Sequence, residues 1–424
     1  MGMLDTDTIE LAQRHIYGGY RPALLSRVDR RRHLYAIGKT GTGKTTLLER
    51  LILQDIEAGE GVALLDPHGD LAERLLDYIP RHRTDDLAYF NPADLEHPIG
   101  FNIVADTDPE LRHLAVSGAV SAFKAIWADS WGPRLEYILA HALAALIETP
   151  GATLLSLPRL MTDTNYRARL TPTIRDPVVR RFWADEFAEY DKRFRAEAIA
   201  PIQNKIGQFL MSPSVRNIFG QERRAIDPRL SMDRRQIFIA NLAKGKIGAD
   251  KSNLIGSLLV SQFELAAMSR SDTPEHERPD FYLYVDEFQN FATDSFALIL
   301  SEARKYRLSL HLFHQFLDQL SEPVQSAVFG NVGSMIAFRL GQRDAEVIAR
   351  EFDEDILPRQ LTELSQFTIY GQTLNQGEQG QAFRGSTEPF DGAFVGRRAN
   401  MIDQSRMRFG RSRAKVERAI ERNL

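Results

Sequence analysis

A glycine-rich stretch near the N-terminus has the residue types and spacing of a phosphate-binding loop. Residues 38–45 read GKTGTGKT, with the apolar run HLYAI before them and a helical pattern after them. The glycines let the backbone curl so that N–H groups face a phosphate, and the following helix N-terminus adds its positive dipole end. We expect Lys44 to reach the β- and γ-phosphates and Thr45 to offer its hydroxyl to Mg²⁺. The predicted nucleotide-binding residues are Gly38, Lys39, Thr40, Gly41, Thr42, Gly43, Lys44, Thr45 and Thr46.

Two adjacent carboxylates, Asp286 and Glu287, follow the apolar segment FYLYV. A buried strand ending in this pair places both acids at the carboxyl edge of a parallel sheet, where such sheets bind ligands. Neighbouring strand residues point in different directions, so the two acids can have different roles. We predict that Asp286 binds Mg²⁺, directly or through water, and that Glu287 polarises the water that attacks a γ-phosphate.

The next apolar segment, LSLHLF, ends at His314 and Gln315. A polar residue at this strand tip, beside the acidic one, can sense a γ-phosphate, and Gln315 is the candidate. The preceding ARKYR offers Arg304 and Arg307 as arginine fingers toward a neighbouring subunit, a contact worth about 10³ to 10⁵ in rate. Basic residues are also favoured at a helix C-terminus by the dipole, so these residues alone leave a structural role for Arg304 open.

The elements that must position these residues alternate between strand-like and helical patterns in two parts of the chain. Between them, from about residue 105 to 230, helical periodicity replaces the strand signals. This order predicts an α/β fold with a parallel sheet, interrupted by a helical block. The predicted strands are HLYAI (33–37), VALLD (62–66), LAYF (87–90), QIFIAN (236–241), FYLYVD (281–286), LSLHLF (308–313), GSMIAF (333–338) and FTIYGQ (367–372).

Composition narrows the classes of function. The 424 residues include no cysteine, which excludes disulfides, thiolate metal sites and cysteine nucleophiles. Lys plus Arg is 53 and Asp plus Glu is 57, so a net charge of -4 argues against a surface coated with positive charge for nucleic acid. No signal peptide and no apolar stretch of roughly 18 to 20 residues is present, so we expect a cytoplasmic protein.

Taken together, these motifs resemble the HerA/FtsK-type hexameric pumping ATPases, and most closely the TraG/TraD-like coupling ATPases of conjugation and type IV secretion. DPHGD and the series DEFQNF, EARKYR and HQ are far more specific than the phosphate loop. The matching segments are IGKTGTGKTTLL, LLDPHGDLAERLL, SWGPRLEYIL, LYVDEFQNFATDSF, SEARKYRLSLHLFHQ and FGNVGSMIAFRLGQRDA.

The resemblance implies a RecA-like P-loop NTPase of the ASCE class with an inserted all-α domain. The motor domain would comprise residues 1–105 and 232–403, the all-α domain residues 106–231, and a basic C-terminal helix or tail residues 404–424. The active form would be a hexameric ring with ATP and Mg²⁺ between subunits and DNA drawn through its centre. Relaxase or secretion-channel partners would bind the all-α domain.

The resemblance also assigns individual residues. Arg304 matches the family's trans arginine, and Gln315 matches its glutamine after the third core strand. Asp66 and Asp70 match D-P-x-G-[DE], which would shape the site beside the phosphate loop. Arg339 is a second finger candidate.

One departure from the family pattern leaves the biological setting open. Coupling ATPases of this group usually begin with a membrane anchor, and this sequence shows none. Either the protein is a soluble variant, or a partner carries the anchor and holds the protein at the inner membrane, or the anchor lies outside this sequence. Three alternative functions remain: a HerA-like DNA translocase for end processing or phage defence, an ATPase for secretion-channel assembly or protein export that does not act on DNA, and a non-catalytic ATP-switched scaffold, which the intact pair of Asp286 and Glu287 disfavours.

The few lysines suggest where DNA would bind. Three of the ten, Lys244, Lys246 and Lys251, fall within NLAKGKIGADK, whose glycines predict a flexible loop. We expect this loop to face the ring's centre and contact phosphates, although a solvated loop is the plain alternative. The segment 404–424 carries seven basic and two acidic residues, and either binds DNA, packs on the ring or is a solvated helix.

Overall fold

The computed structural model describes residues 7–105, 107–293, 295–352 and 356–423. Some limits of the predicted domains fall outside the described residues, namely residues 1–6, Asp106 and Leu424. The strands are β1 (Thr8–Ile16), β2 (Gly19–Ser26), β3 (Leu34–Ile37), β4 (Gly61–Asp66), β5 (Leu87–Phe90), β6 (Ile237–Asn241), β7 (Phe281–Val285), β8 (Leu308–His314), β9 (Ser334–Ala337), β10 (Thr368–Gln372), β11 (Leu374–Asn375), β12 (Glu378–Gln379) and β13 (Phe383–Ser386).

The α-helices are α1 (Arg27–Arg30), α2 (Lys44–Glu57), α3 (Asp70–Leu75), α4 (Arg112–Ile126), α5 (Pro133–Ile147), α6 (Ser156–Thr162), α7 (Thr164–Leu170), α8 (Pro177–Arg181), α9 (Phe187–Glu189), α10 (Lys192–Met211), α11 (Pro213–Phe219), α12 (Pro228–Asp233), α13 (Lys244–Ile247), α14 (Ala249–Ser269), α15 (Phe296–Glu302), α16 (Glu322–Asn331), α17 (Gln342–Glu351), α18 (Pro358–Thr362), α19 (Arg398–Phe409) and α20 (Arg413–Asn423). Short 3₁₀ turns, among them Phe288–Asn290 and Ala303–Tyr306, connect several of these elements.

The chain forms two compact units. The sheet unit comprises Met1–Tyr89, Arg229–Asn241 and Arg270–Gln404. The helical unit comprises Phe90–Pro228, Leu242–Ser269 and Ser405–Leu424. The domain limits drawn from the sequence remain a prediction.

One large sheet organises the first unit, with the strand order β2-β1-β13-β10-β9-β3-β8-β7-β4-β6-β5. The central strands β9, β3, β8, β7, β4 and β6 pair in parallel, as the alternation of strands and helices predicted. The strands β10, β13, β1 and β2 extend the sheet with antiparallel pairs, which the sequence did not predict. All eight predicted strands are present as β3 to β10.

A buried ion pair connects three elements of the sheet unit. The guanidinium of Arg30 donates two hydrogen bonds to the Asp55 carboxylate, at 2.7 and 2.6 Å, and one to the Tyr284 hydroxyl at 3.0 Å. It also lies 3.6 Å from the centre of the Tyr282 ring. Because Arg30 is 2% exposed and Asp55 is fully buried, loss of either partner would leave an uncompensated charge, which costs about 3 to 5 kcal/mol.

In the helical unit, α4 packs against α5 and α14, and α10 packs against α5. The contact of α4 with α14 is close because a Cβ on Gly118 would lie only 2.0 Å from the Ser261 hydroxyl oxygen. The basic C-terminal segment comprises the end of α19 and α20, and α20 packs on α11 through the buried side chains of Val416 and Ile420. Most of the basic side chains of the segment are exposed, so its role stays a prediction.

Among the residues that the structure describes, none of the helices is both long enough and apolar enough to cross a bilayer.

Glu264 is a buried acid whose ionisation is expected to make the stability of the fold depend on pH. It is 8% exposed on α14, and burial raises its pKa to about 8. A carboxyl whose pKa is raised by folding keeps its proton in the folded state, so its contribution to stability falls as pH rises from about 4.3 toward 8. We expect Glu264→Gln to raise the unfolding temperature by several degrees at pH 8 and to have little effect at pH 4.5.

Thermal unfolding of the variant and the wild type at each pH measures this difference. Glu421→Gln, which changes an exposed acid on α20, is the matched control. A difference for Glu264→Gln that does not grow with pH would contradict the prediction.

Candidate nucleotide-binding site

The phosphate loop lies between β3 and α2, as predicted. Gly41 and Gly43 have φ angles of 76° and 116°, a region of backbone space that L-residues rarely enter. A Cβ on Gly43 would also lie 2.7 Å from Cδ1 of Phe367. Two backbone hydrogen bonds fix the loop. Phe367 N donates to the Thr42 carbonyl at 2.8 Å, and Lys39 N donates to the Arg339 carbonyl at 2.9 Å. Glycine is therefore required at position 43 by both conformation and space.

Lys44 is folded into this loop. Its Nζ donates to the carbonyl oxygens of Gly38 at 2.5 Å and Lys39 at 3.1 Å. Burial lowers the pKa of Lys44, while the charges of Glu287 and Asp286 oppose that shift. The loop thus contains a buried ammonium group, held by backbone carbonyls that a phosphate can replace as its partners.

The predicted acids meet at the carboxyl edge of the sheet. Burial raises the pKa of Asp286 to about 7, and the negative charges of Asp66 and Glu287 add to the rise. The carboxylate of Asp66 accepts hydrogen bonds from the backbone N–H groups of His68 and Ala72, at 2.8 and 2.9 Å. Asp66 therefore shapes the turn into α3, and its role in shaping the site beside the phosphate loop stays a prediction.

This acid cluster fits a divalent cation. Among the described residues, no group of three or more histidine or acidic side chains could hold a metal by itself. Mg²⁺ in nucleotide sites uses one or two protein ligands together with phosphates, which suits the pair Thr45 and Asp286. A cation would also relieve the mutual repulsion of Asp66, Asp286 and Glu287 that raises the pKa of Asp286.

Glu287 is held by two side-chain amides. Nε2 of Gln315 donates to Oε1 of Glu287 at 2.7 Å, and Nε2 of Gln289 donates to Oε2 at 2.7 Å. The hydroxyl of Thr40 in the phosphate loop donates to Oε1 of Gln315 at 3.0 Å. The predicted sensor Gln315 therefore connects the loop to the acid. Gln289 was missed, although it lies within the quoted DEFQNF motif, because a glutamine in a turn has no distinctive spacing.

The arginine candidates occupy different edges of the sheet. Arg304 is exposed four residues before β8, at the amino edge, whereas Gln315 follows β8 at the carboxyl edge. Seven strand residues separate these edges by about 20 Å. Arg307 is paired within the chain to Asp280 at 3.6 Å.

The side chain of Arg339 is exposed. Arg339 lies beside the phosphate loop of its own subunit, because its carbonyl accepts the hydrogen bond from Lys39 N. This position suits a contact in the same subunit better than a contact with a neighbour. Asp70 is exposed at the first position of α3.

The lysine-rich segment was expected to be a flexible loop, and this expectation is wrong. Lys244 and Lys246 lie in the short helix α13, and Lys251 lies in the first turn of α14. Gly248, with φ of 90°, separates the two helices. The buried side chain of Ile247 anchors the turn, which outweighs the flexibility that the glycines suggest.

The sequence and the fold are similar to those of known proteins. Residues 23–372 match the family described as type IV secretion-system coupling protein DNA-binding domain. The plasmid coupling protein TrwB with a non-hydrolysable ATP analogue has a TM-score of 0.62 and 16% identity, covering 92% of each chain. TrwB with ADP and Mg²⁺ has a TM-score of 0.61 and 16% identity, again covering 92% of each chain.

VirB4 of Thermoanaerobacter pseudethanolicus has a TM-score of 0.61 and 15% identity, covering 92% of this chain and 99% of that chain. None of the curated proteins matches the sequence. These structural similarities confirm the predicted fold class, a RecA-like P-loop NTPase with an all-α part.

The geometry of the loop predicts different costs for two glycine substitutions. Gly41→Ala introduces a Cβ with no neighbour within 4 Å, so only the positive φ is penalised, by about 1 to 2 kcal/mol. Gly43→Ala adds the contact with Phe367 to the same penalty. We expect Gly43→Ala to lower the unfolding temperature several degrees further than Gly41→Ala, as measured by thermal unfolding. Equal shifts would contradict the packing of Phe367 on the loop.

Proposed function

The chain belongs to the family of type IV secretion-system coupling protein DNA-binding domains, and on that premise we propose that it is an ATP-hydrolysing ring motor that translocates DNA. The observation that carries the proposal is the meeting of four predicted residues at one sheet edge: Lys44, Asp286, Glu287 and Gln315. The solved TrwB complexes with an ATP analogue and with ADP and Mg²⁺ support ATP and Mg²⁺ as the ligands.

Each residue has a role in this proposal. Lys44 binds the β- and γ-phosphates, exchanging its loop carbonyls for phosphate oxygens. Thr45 and Asp286 would hold Mg²⁺, which neutralises phosphate charge when bound. Glu287 orients the attacking water and accepts its proton. Gln315 reports the γ-phosphate to Glu287, because it contacts both that acid and Thr40 of the loop.

Arg304 completes the site of a neighbouring subunit. It lies about 20 Å from the carboxyl edge of its own sheet, so it does not reach its own nucleotide. The charge of Arg304 also contributes, after burial, to lowering the pKa of His33 to about 4. His33 precedes β3 at the same amino edge, which independently supports this position. We therefore propose a ring, as a homohexamer, in which each interface joins one subunit's loop to the next subunit's Arg304.

DNA contact is assigned to the turn that carries Lys244, Lys246 and Lys251. A packed helical turn presents charge at fixed positions, and contacts to phosphates suit a motor that does not read sequence. The proposal also includes relaxase or channel partners on the helical unit and binding at the inner membrane through such partners. The fold alone does not separate this function from that of other secretion ATPases, since TrwB and VirB4 have nearly equal TM-scores of 0.62 and 0.61. The family match favours DNA.

The catalytic assignment is tested with Glu287→Gln. This change keeps the size of the side chain and removes the base, so we expect ATP binding to be retained and turnover to fall at least about 10²-fold. ATP turnover and binding of a fluorescent ATP analogue measure the two effects. Glu277→Gln, which changes an exposed acid before the opposite end of β7, is the control. Turnover within a few fold of the wild type would remove Glu287 from the mechanism.

The DNA assignment is tested with Lys244→Ala, Lys246→Ala and Lys251→Ala combined. Each phosphate contact contributes about one unit to the slope of log K against log salt, so we expect the slope to flatten by up to about three units. Fluorescence anisotropy with labelled DNA measures it. The matched control replaces Arg181, Lys192 and Arg193 with alanine, since these side chains are exposed on α8 and α10. The same salt slope in both triple variants would refute the assignment.

Stimulation of the wild-type ATPase by DNA at low salt tests the function itself. A DNA-dependent rise in turnover excludes an ATPase that serves only protein export or channel assembly. If DNA leaves ATP turnover unchanged, the proposal that the protein is a DNA-translocating motor is contradicted.

A further inference from the structure

We propose that Gln289 is a positioning residue that restrains Glu287 and limits ATP hydrolysis when no DNA is bound. The inference rests on the proposed function, because it concerns the regulation of the same site. It assigns a role to a residue that the mechanism above does not use.

The geometry around Glu287 is that of a carboxylate held at both oxygens. Gln315 donates to Oε1 and Gln289 donates to Oε2, each at 2.7 Å. The backbone of Glu287 has a φ of 47°, and its carbonyl accepts a hydrogen bond from Nδ2 of Asn290 at 2.7 Å. The left-handed backbone turns the chain sharply after β7 and brings the following turn, with Gln289, beside the carboxylate.

The two amide donors fix the direction of the Glu287 carboxylate, which is 7% exposed at the end of a buried strand. A general base acts only when it is directed at its water, so a carboxylate held at both oxygens in this way opposes hydrolysis.

The two donors differ in what can remove them. Gln315 is bonded to Thr40 of the phosphate loop, so a bound γ-phosphate competes for both of these side chains. Gln289 has no such connection: it lies in the turn Phe288–Asn290, and its own Oε1 is buried with no hydrogen-bond partner among the described residues. A buried amide oxygen without a partner marks an arrangement that a small movement of the turn can improve. ATP binding would therefore release Gln315 and leave Gln289 in place.

The position of Gln289 in the chain suggests what releases it. The turn Phe288–Asn290 is followed by α15, and α15 is followed directly by the turn that carries Arg304. In this proposal, a movement of Arg304 against a neighbouring subunit is transmitted through α15 to the turn that holds Gln289. DNA binding in the ring would supply that movement, so the restraint is removed when the subunits engage DNA.

The test compares Gln289→Leu with the wild type in steady-state ATP turnover, with and without DNA. Leucine keeps the approximate volume and removes the donor. We expect kcat without DNA to rise about three- to tenfold, kcat at saturating DNA to stay within twofold, and KM for ATP to be unchanged. Gln13→Leu is the matched control, since Gln13 Nε2 also donates to a glutamate, Glu10, at 2.6 Å, but on the distant strand β1.

A fall in both kcat values would overturn the restraint. With a lowered unfolding temperature, that fall would mean a purely structural role for Gln289. In a variant as stable as the wild type, it would mean that Gln289 directs Glu287 productively. If Gln289→Leu does not fold, Gln289→Glu gives the same comparison, because it replaces the donor by a repelling charge. The wild type alone separates failure of the proposed function from failure of this inference. If the proposed function is wrong, the wild type shows no ATPase activity or no response of that activity to DNA.

Discussion

The buried pair of Arg30 and Asp55 holds together the three elements on which the site depends. Arg30 ends α1, just before the strand that leads into the phosphate loop, and Asp55 lies in α2, which leaves that loop. The same guanidinium bonds to Tyr284 of β7, the strand that ends in Asp286 and Glu287. Because these groups are buried, the charges have no water to replace their partners. The distance between the phosphate loop and the acids is thus fixed by buried contacts among α1, α2 and β7 that bind no ligand.

The order of the central strands gives Gln315 its importance. Strand β8 lies between β3 and β7, so the residue after β8 lies between the phosphate loop and the acids. In its present contacts, Gln315 accepts from Thr40 and donates to Glu287. A single amide therefore connects the phosphate loop to Glu287.

Sequence patterns predicted the central sheet well because its strands are buried on both faces and read as continuous apolar runs. The strands β1, β2 and β13 were missed because they lack such continuous apolar runs. In β1 buried and exposed residues are mixed, and β2 lies at the edge of the sheet, where Tyr20 and Leu24 are exposed. The phosphate loop, Asp286, Glu287 and Gln315 were found because each follows a strand directly. Gln289 was not, because its contact with Glu287 depends on a left-handed backbone angle that no spacing reveals.

In the proposed trans role of Arg304, its separation from its own phosphate loop divides one catalytic set between two copies of the chain. An isolated copy would carry every part and still lack a complete site, so activity per molecule would rise with concentration until rings are filled. Copies with a defective loop and copies with a defective Arg304 would complement each other in part, because each supplies at some interfaces what the other lacks. Loss of Arg304 in one copy would silence the adjacent site and spare its own. In a cell that expresses both forms, the defect would therefore behave as partly dominant.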